Sequence, residues 1–164
     1  MRLAILTVSD AGSRGERADT SGDAIAAWAA SRGDTVVERR LVADEPSEVS
    51  AALRAWADAD AADLILTTGG TGLTSRDTTP EATRAVLERE APGIAEALRA
   101  DSIAKTPHGL LSRGVAGVVA GTLVVNLPGS TGGCRDGYAV LRPALGHALS
   151  LLRDEPTSHQ QTAR

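Results

Sequence analysis

An apolar run that ends abruptly in glycine constrains this chain more than any other feature. Leu64-Ile65-Leu66-Thr67-Thr68 leads into Gly69-Gly70-Thr71-Gly72, with Arg76-Asp77 and Thr79-Pro80-Glu81 close behind. Three apolar residues after Asp63 read as a buried strand, and the glycines that follow free backbone N–H groups to turn outward. Thr79 reads as a helix N-cap, Pro80 as the first helical residue, and Glu81 suits the positive helix end. Strand, glycine loop and helix in this order is how α/β proteins hold phosphates. Asp77, between loop and helix, adds a hard oxygen ligand suited to a divalent cation. The competing reading is a tight strand-to-helix turn with no ligand, since a lone glycine loop is a weak motif. No GxxxxGK[ST] string occurs and the spacing does not match GxGxxG, which excludes two better-known phosphate loops.

The rest of the chain alternates strands with helices. Leu3 to Val8 is expected as the first strand, ending in Ser9-Asp10 and a polar loop from Ala11 to Asp19. Ile25, Trp28 and Ala29 then fall at helical spacing, with Gly33 near the helix end. Thr35 to Val42 is the second strand, closed by Ala43-Asp44-Glu45-Pro46. Ser47 caps or opens a helix whose inner face is Val49, Leu53 and Trp56. The strand from Asp63 to Thr67 feeds the glycine loop, and the helix from Pro80 carries Val86 and Leu87. Pro92-Gly93 is expected to interrupt that helix, leaving a shorter one over Ile94 to Ser102. Val115–Val119 and Thr122–Leu127 read as two strands joined at Ala120-Gly121, a hairpin. A second glycine loop follows, Pro128-Gly129-Ser130-Thr131-Gly132-Gly133. Tyr138, Leu141, Leu145, Leu149 and Leu152 share one face of a last helix, which Pro143 is expected to kink or divide. Asp154 to Arg164 is polar and reads as a disordered tail beyond a single domain of residues 1–153.

This alternation implies a three-layer α/β/α sandwich with a mostly parallel central sheet. Right-handed crossovers then bring the strand ends to one edge. Ser9-Asp10, Asp44, the Gly69–Gly72 loop and the Pro128–Gly133 loop all follow strands, so four loops of suitable chemistry meet in one pocket.

Bulk composition bounds the partners. With 164 residues, 42% hydrophobic and 23% charged, the chain can bury a substantial core. Aromatics are only 2%, with no Phe, so aliphatic residues must fill that core. A net charge of −4 and a pI near 5.4 argue against a general nucleic-acid binder. Cys134 is the single cysteine, which excludes an intrachain disulfide and a cysteine zinc cage; it reads as an incidental small residue. The opening apolar run is too short for a signal peptide or membrane span, so the cytoplasm is the expected location and no membrane partner is expected.

Taken together, TTGGTGLTSRDTTPEAT at Thr67–Thr83, LSRGVAG at Leu111–Gly117 and TLVVNLPGS at Thr122–Ser130 resemble the molybdenum-cofactor biosynthesis family. The resemblance, over roughly residues 1 to 152, is closest to the single-domain molybdopterin adenylyltransferases. It implies Mg²⁺-dependent transfer of AMP from ATP to molybdopterin, with release of pyrophosphate. It also implies a homotrimer and passage of the product to a molybdenum-insertion protein. With no second domain in the sequence, the longer fused relatives are not expected.

Carried onto this sequence, the resemblance makes Asp77 a Mg²⁺ ligand near the ATP phosphates. Asp44 matches the second functional aspartate, as a metal ligand or in arranging the pterin phosphate. A second carboxylate beside polyphosphates is repulsive without a cation, which favours the metal; the plain alternative is a turn residue. Gly69, Gly70, Thr71 and Gly72 are expected to line the nucleotide phosphates, and Pro128, Gly129 and Ser130 to wall the adenosine side. Ser112 and Arg113 are assigned to molybdopterin, although a surface salt bridge is the commonest fate of an isolated Arg. Ser9 and Asp10 belong to the same group, or else cap the first helix. His108 is the weakest candidate, because an existing phosphate anion needs no strong base. Two other functions compete: a non-catalytic molybdopterin-binding scaffold, and a nucleotide-pyrophosphate hydrolase, which would need a base not evident here.

Overall fold

The structure, a computed structural model, describes residues 1–154; of the expected tail, all but Asp154 lies outside the described residues. β1 (Arg2–Val8), β2 (Thr35–Val42), β3 (Leu64–Thr68) and β6 (Thr122–Leu127) run parallel. β5 (Ala116–Val119) turns back antiparallel on β6, and β4 (Arg89–Glu90) pairs antiparallel with β5. The six strands form one sheet in the order β2-β1-β3-β6-β5-β4. Ala120 and Gly121, both at positive φ (46° and 77°), make the two-residue turn of the expected β5–β6 hairpin.

Side chains alternate across a strand, so the apolar runs of β1, β3 and β6 feed two cores. Leu3, Ile5, Leu64, Leu66, Val125 and Leu127 face α2 (Thr20–Ala30) and α6 (Thr131–Leu152), packing on Ile25, Tyr138, Leu141, Leu145 and Leu149. Ala4, Leu6, Ile65 and Val124 face the other way, against Val49, Leu53 and Trp56 of α3 (Pro46–Asp58) and Ala82 of α4 (Thr79–Arg84). This is the three-layer arrangement expected from the alternation. Both sheet edges are protected against further pairing: β2 exposes Glu38, Arg39 and Arg40, and β4 is only two residues long.

Several local expectations differ from the structure. The segment between α4 and Pro92 is not helix. Glu88 N–H donates to Val118 O (2.9 Å) and Ala91 N–H to Ala116 O (2.8 Å), so an open strand edge captures this segment. Gly117 permits that approach, since a Cβ there would lie 2.4 Å from Arg89 O. Pro92 therefore opens α5 (Pro92–Lys105) rather than interrupting a helix, its missing N–H being unneeded in the first turn. By the same logic Glu45, not Ser47, is the N-cap of α3 with Pro46 next, and Thr78, not Thr79, is the N-cap of α4. A single helical turn, α1 (Asp10–Ser13), occupies the start of the expected polar loop. α6 runs undivided through Pro143, where Pro143 and Ala139 are both exposed and water can hydrate the freed carbonyl.

At the amino end of the sheet, buried Asp63 accepts from Arg2 N–H (2.7 Å) and Arg2 Nε (3.0 Å) and pairs with Arg153 (2.7 Å). Burial alone would raise its pKa, but these donors hold it down at about 2. A depressed carboxylate contributes stability above its unfolded pKa and loses it as pH falls through the folded value. Acid titration is therefore expected to remove up to about 2 kcal/mol between roughly pH 4 and 2. In Asp63→Asn, chemical denaturation at each pH should show that decline flattened.

Candidate active site

Registers Val8↔Val42, Thr7↔Thr68 and Thr68↔Leu127 place the carboxyl ends of β1, β2, β3 and β6 side by side. The loops that follow them, with Ser9-Asp10, Asp44, Gly69–Gly72 and Pro128–Ser130, therefore share one edge. The two glycine loops touch: a Cβ on Gly129 would lie 3.3 Å from Gly69 Cα. Gly69 (φ 97°) and Gly70 (φ 63°) turn the chain off β3 in the left-handed region.

Gly70 separates the acidic groups from α4. A Cβ there would lie 2.3 Å from Thr79 Oγ1 and 3.0 Å from Asp44 Oδ1. Thr78 Oγ1 and Thr79 Oγ1 are buried with no hydrogen-bond partner among the described residues. Asp44 is 9% exposed; its Oδ2 accepts from Asp10 N–H (2.8 Å), and its own N–H donates to Asp10 Oδ1 (3.0 Å). Burial pushes the Asp44 carboxyl above the usual range, the Asp10 N–H opposes this, and the charges of Asp10 and Asp77 add to the rise. Asp77 Oδ2 accepts from Thr74 N–H (2.8 Å). Burial would raise Asp77 too, but hydrogen bonds from Thr74 and Gly72, with Arg113 nearby, hold it below the usual range.

Two arginines organise these loops. Arg113 donates from Nε to Gly72 O (2.7 Å), from Nη2 to Asp77 O and from Nη1 to Glu81, while its own N–H donates to Thr71 O (3.0 Å). Its guanidinium thus holds the first glycine loop to α4. Arg76 binds both oxygens of Asp10 (3.0 and 3.1 Å) and Oε1 of Glu45 (2.7 Å). Asp10 is accordingly held below the usual carboxylate range, by the Arg76 side chain first and then by the Asp44 N–H. Ser9 caps α1, accepting from Gly12 N–H (3.1 Å), and Ser130 caps α6, accepting from Gly133 N–H (3.1 Å).

A cavity of about 500 Å³ opens beside the two glycine loops. Thr71, Gly72, Ser112, Pro128 and Ser130 line its near wall, and Leu98, Ser102, Lys105 and His108, from α5 and the 3₁₀ turn Pro107–Leu111, its far wall. Cys134 is buried, with Sγ on Pro128 O (3.1 Å) and Thr68 Oγ1 (3.2 Å). Burial pushes its thiol pKa up, so it belongs to the packing behind the second loop.

Sequence reasoning missed some members of this edge. Asn126, buried in β6, donates to Thr67 Oγ1 (2.9 Å) and Thr83 Oγ1 (3.0 Å) and accepts from Val115 N–H (3.1 Å). A lone amide in the apolar run Leu123-Val124-Val125-Asn126-Leu127 was the available signal. Arg76, Thr79 as a buried hydroxyl, and the α5 wall of the cavity carried no comparable mark.

A mostly parallel sheet with two touching glycine loops, clustered aspartates and a cavity near its carboxyl edge has the architecture of an α/β ligand-binding domain. Residues 4–147 match the family described as the probable molybdopterin binding domain, and the chain belongs to that family of molybdenum cofactor biosynthesis. It is 40% identical over 146 residues to molybdenum cofactor biosynthesis protein B of Escherichia coli K12, covering 88% of this chain and 85% of that one. It is 34% identical over 154 residues to the molybdopterin adenylyltransferase of Helicobacter pylori J99, covering 93% and 88%. The solved structure of the molybdopterin biosynthesis enzyme MoaB from Thermus thermophilus superposes with a TM-score of 0.88 at 53% identity, covering 94% of this chain and 98% of that one. Other relatives are far longer. The chain spans 26% of the Drosophila melanogaster molybdenum cofactor synthesis protein cinnamon, 23% of Dictyostelium discoideum gephyrin, and under half of two bacterial bifunctional proteins. Among the described residues no helix is long and apolar enough to cross a membrane.

Proposed function

We propose that this protein transfers the adenylyl group of ATP to molybdopterin. The observation that carries the reading is the meeting of Asp44, Asp77 and both glycine loops at one sheet edge, beside a cavity of about 500 Å³. A site for two polyanions needs N–H donors, carboxylates able to hold a cation, and room for a heterocycle. The family and the name of the Helicobacter pylori relative support the same reaction.

In this reading the terminal phosphate of molybdopterin attacks the α-phosphorus of ATP, the bond to the bridging oxygen breaks, and pyrophosphate leaves. The nucleophile is already an anion, so no residue needs to remove a proton from it. The N–H groups of Gly69, Gly70 and Thr71 orient the nucleotide phosphates while that of Gly72 is held by Asp77, and Pro128, Gly129 and Ser130 wall the adenosine. Ser112 lines the cavity on the pterin side, Ser9 and Asp10 reach the substrate from the β1 loop outside that lining, and Arg113 fixes the first glycine loop while adding positive charge next to Asp77. The donor set suits magnesium. Asp44 Oδ1 takes no hydrogen bond from the described residues and borders Gly70, Asp77 borders Gly72 of the same loop, and the unpartnered Thr79 hydroxyl adjoins Gly70. Mg²⁺ held by one or two carboxylates, completed by water and phosphate oxygens, would offset the phosphate charge and polarise the α-phosphate. The same reading takes the protein as a cytoplasmic homotrimer that delivers its product to a molybdenum-insertion protein. A light-scattering mass near the 16.8 kDa monomer would count against the trimer.

Pyrophosphate release from Mg-ATP, with and without molybdopterin, tests the reaction. Release that requires the pterin is expected. Tight pterin binding without release would replace the enzyme by a scaffold.

A further inference from the structure

We propose that Arg76 is a positioning residue for the cation: acting through Asp10, it sets the carboxylate of Asp44. The inference rests on the adenylyl-transfer reading above, in which Asp44 helps to hold the metal.

Three loops are joined in this contact. Arg76 follows β3, Asp10 follows β1, and Asp44 and Glu45 follow β2. Nε and Nη2 of Arg76 reach the two oxygens of Asp10 at 3.0 and 3.1 Å, and Nη2 also reaches Glu45 Oε1 at 2.7 Å. Asp10 then closes a reciprocal pair with Asp44, N–H to Oδ2 at 2.8 Å and N–H to Oδ1 at 3.0 Å. The backbone N–H that orients Asp44 is therefore carried by a loop that Arg76 fastens. Without the guanidinium, Asp10, Asp44 and Glu45 are three carboxylates facing one another, and the β1 and β2 loops have reason to part. The planar fork places two nitrogens on one carboxylate while reaching a second, a geometry that the single nitrogen of lysine reproduces poorly. Because Oδ2 of Asp44 is occupied by Asp10, Oδ1 is the oxygen left to face Gly70 and Thr79.

Positioning and simple charge make opposite predictions. Removing a cation beside carboxylates should strengthen Mg²⁺ binding if only Coulomb forces matter. If Arg76 positions Asp44, its removal should weaken binding, by about 10- to 100-fold as for other groups that orient metal ligands. The test is Mn²⁺ occupancy by electron paramagnetic resonance, in the presence of α,β-methylene-ATP. It compares wild type, Arg76→Gln, Asp10→Asn, the double variant, and Arg84→Gln as a control that removes an equal charge from an exposed pair. Thermal melts establish that each variant is folded.

Weaker Mn²⁺ binding in Arg76→Gln is expected, with the double variant no weaker than the worse single and Arg84→Gln unchanged. In the reaction, the half-saturating Mg²⁺ concentration should rise by a similar factor. Unchanged or tighter Mn²⁺ binding in Arg76→Gln overturns the proposal, as do additive losses in the double variant. The resonance measurement needs no turnover, so an inactive wild type would overturn adenylyl transfer and leave this test standing.

Discussion

Replacing Asp77 by Asn is expected to lower adenylyl transfer by about a thousandfold, equivalent to roughly 4 kcal/mol of lost transition-state stabilisation. The change removes a charge and keeps the shape. Asp77 Oδ2 accepts the Thr74 N–H, and an amide oxygen can keep that bond, so the loop should survive. What is lost is the anionic oxygen available to a cation between polyphosphates. Asp44→Asn should be similarly inactive with its fold kept, because an amide oxygen can still accept from Asp10 N–H and removing a buried charge beside Asp10 and Asp77 relieves repulsion. Single-turnover kinetics at saturating ATP, alongside thermal melts, separates loss of chemistry from loss of fold. An Asp77→Asn protein that is folded and turns over at the wild-type rate would remove Asp77 from the chemistry.

The largest structural effect is expected at Gly69. Its φ is 97°, and a Cβ would lie 2.2 Å from Val8 O, a backbone atom of β1 that cannot move without its strand. Gly69→Ala should therefore cost about 2–4 kcal/mol, combining left-handed strain with a forced displacement. For a chain of this size the melting temperature should fall by about 5–15 °C. Because the second glycine loop packs on Gly69 Cα, the nucleotide side should lose its shape and activity should be abolished. Gly33→Ala is the matched control: φ is 76°, but no atom lies within 4 Å, so only about 1 kcal/mol of strain is expected. Equal losses in the two variants would mean that conformation alone, and not the contact with β1, makes glycine necessary.

These two positions also show which parts of the molecule the sequence reveals. Asp77 and Gly69 stand out because a buried strand followed by a glycine loop has a period and a punctuation that chain order preserves. The same holds for Pro128-Gly129-Ser130, and the shared edge follows from right-handed crossovers between parallel strands. Family resemblance then singled out Asp44, whose local sequence looks like an ordinary turn. Other features depended on partners distant in sequence. The residues after α4 have a helical composition, yet they pair with β5 because an edge strand offered ladder partners that local propensity cannot foresee. Arg76 lies 66 residues from Asp10 and 31 from Glu45, and nothing in its own surroundings marks the bridge. The cavity was hidden for a related reason: its far wall comes from α5 and the 3₁₀ turn after it, which no local pattern places opposite the glycine loops.

Transfer of label from [α-³²P]ATP to molybdopterin tests the central claim most directly, measured with Mg²⁺ for wild type and Asp77→Asn. The account predicts a labelled pterin product and unlabelled pyrophosphate in equal amounts from wild type, with almost none from Asp77→Asn. Label that stays in AMP or ATP with the pterin bound, or equal transfer by the two proteins, would contradict it.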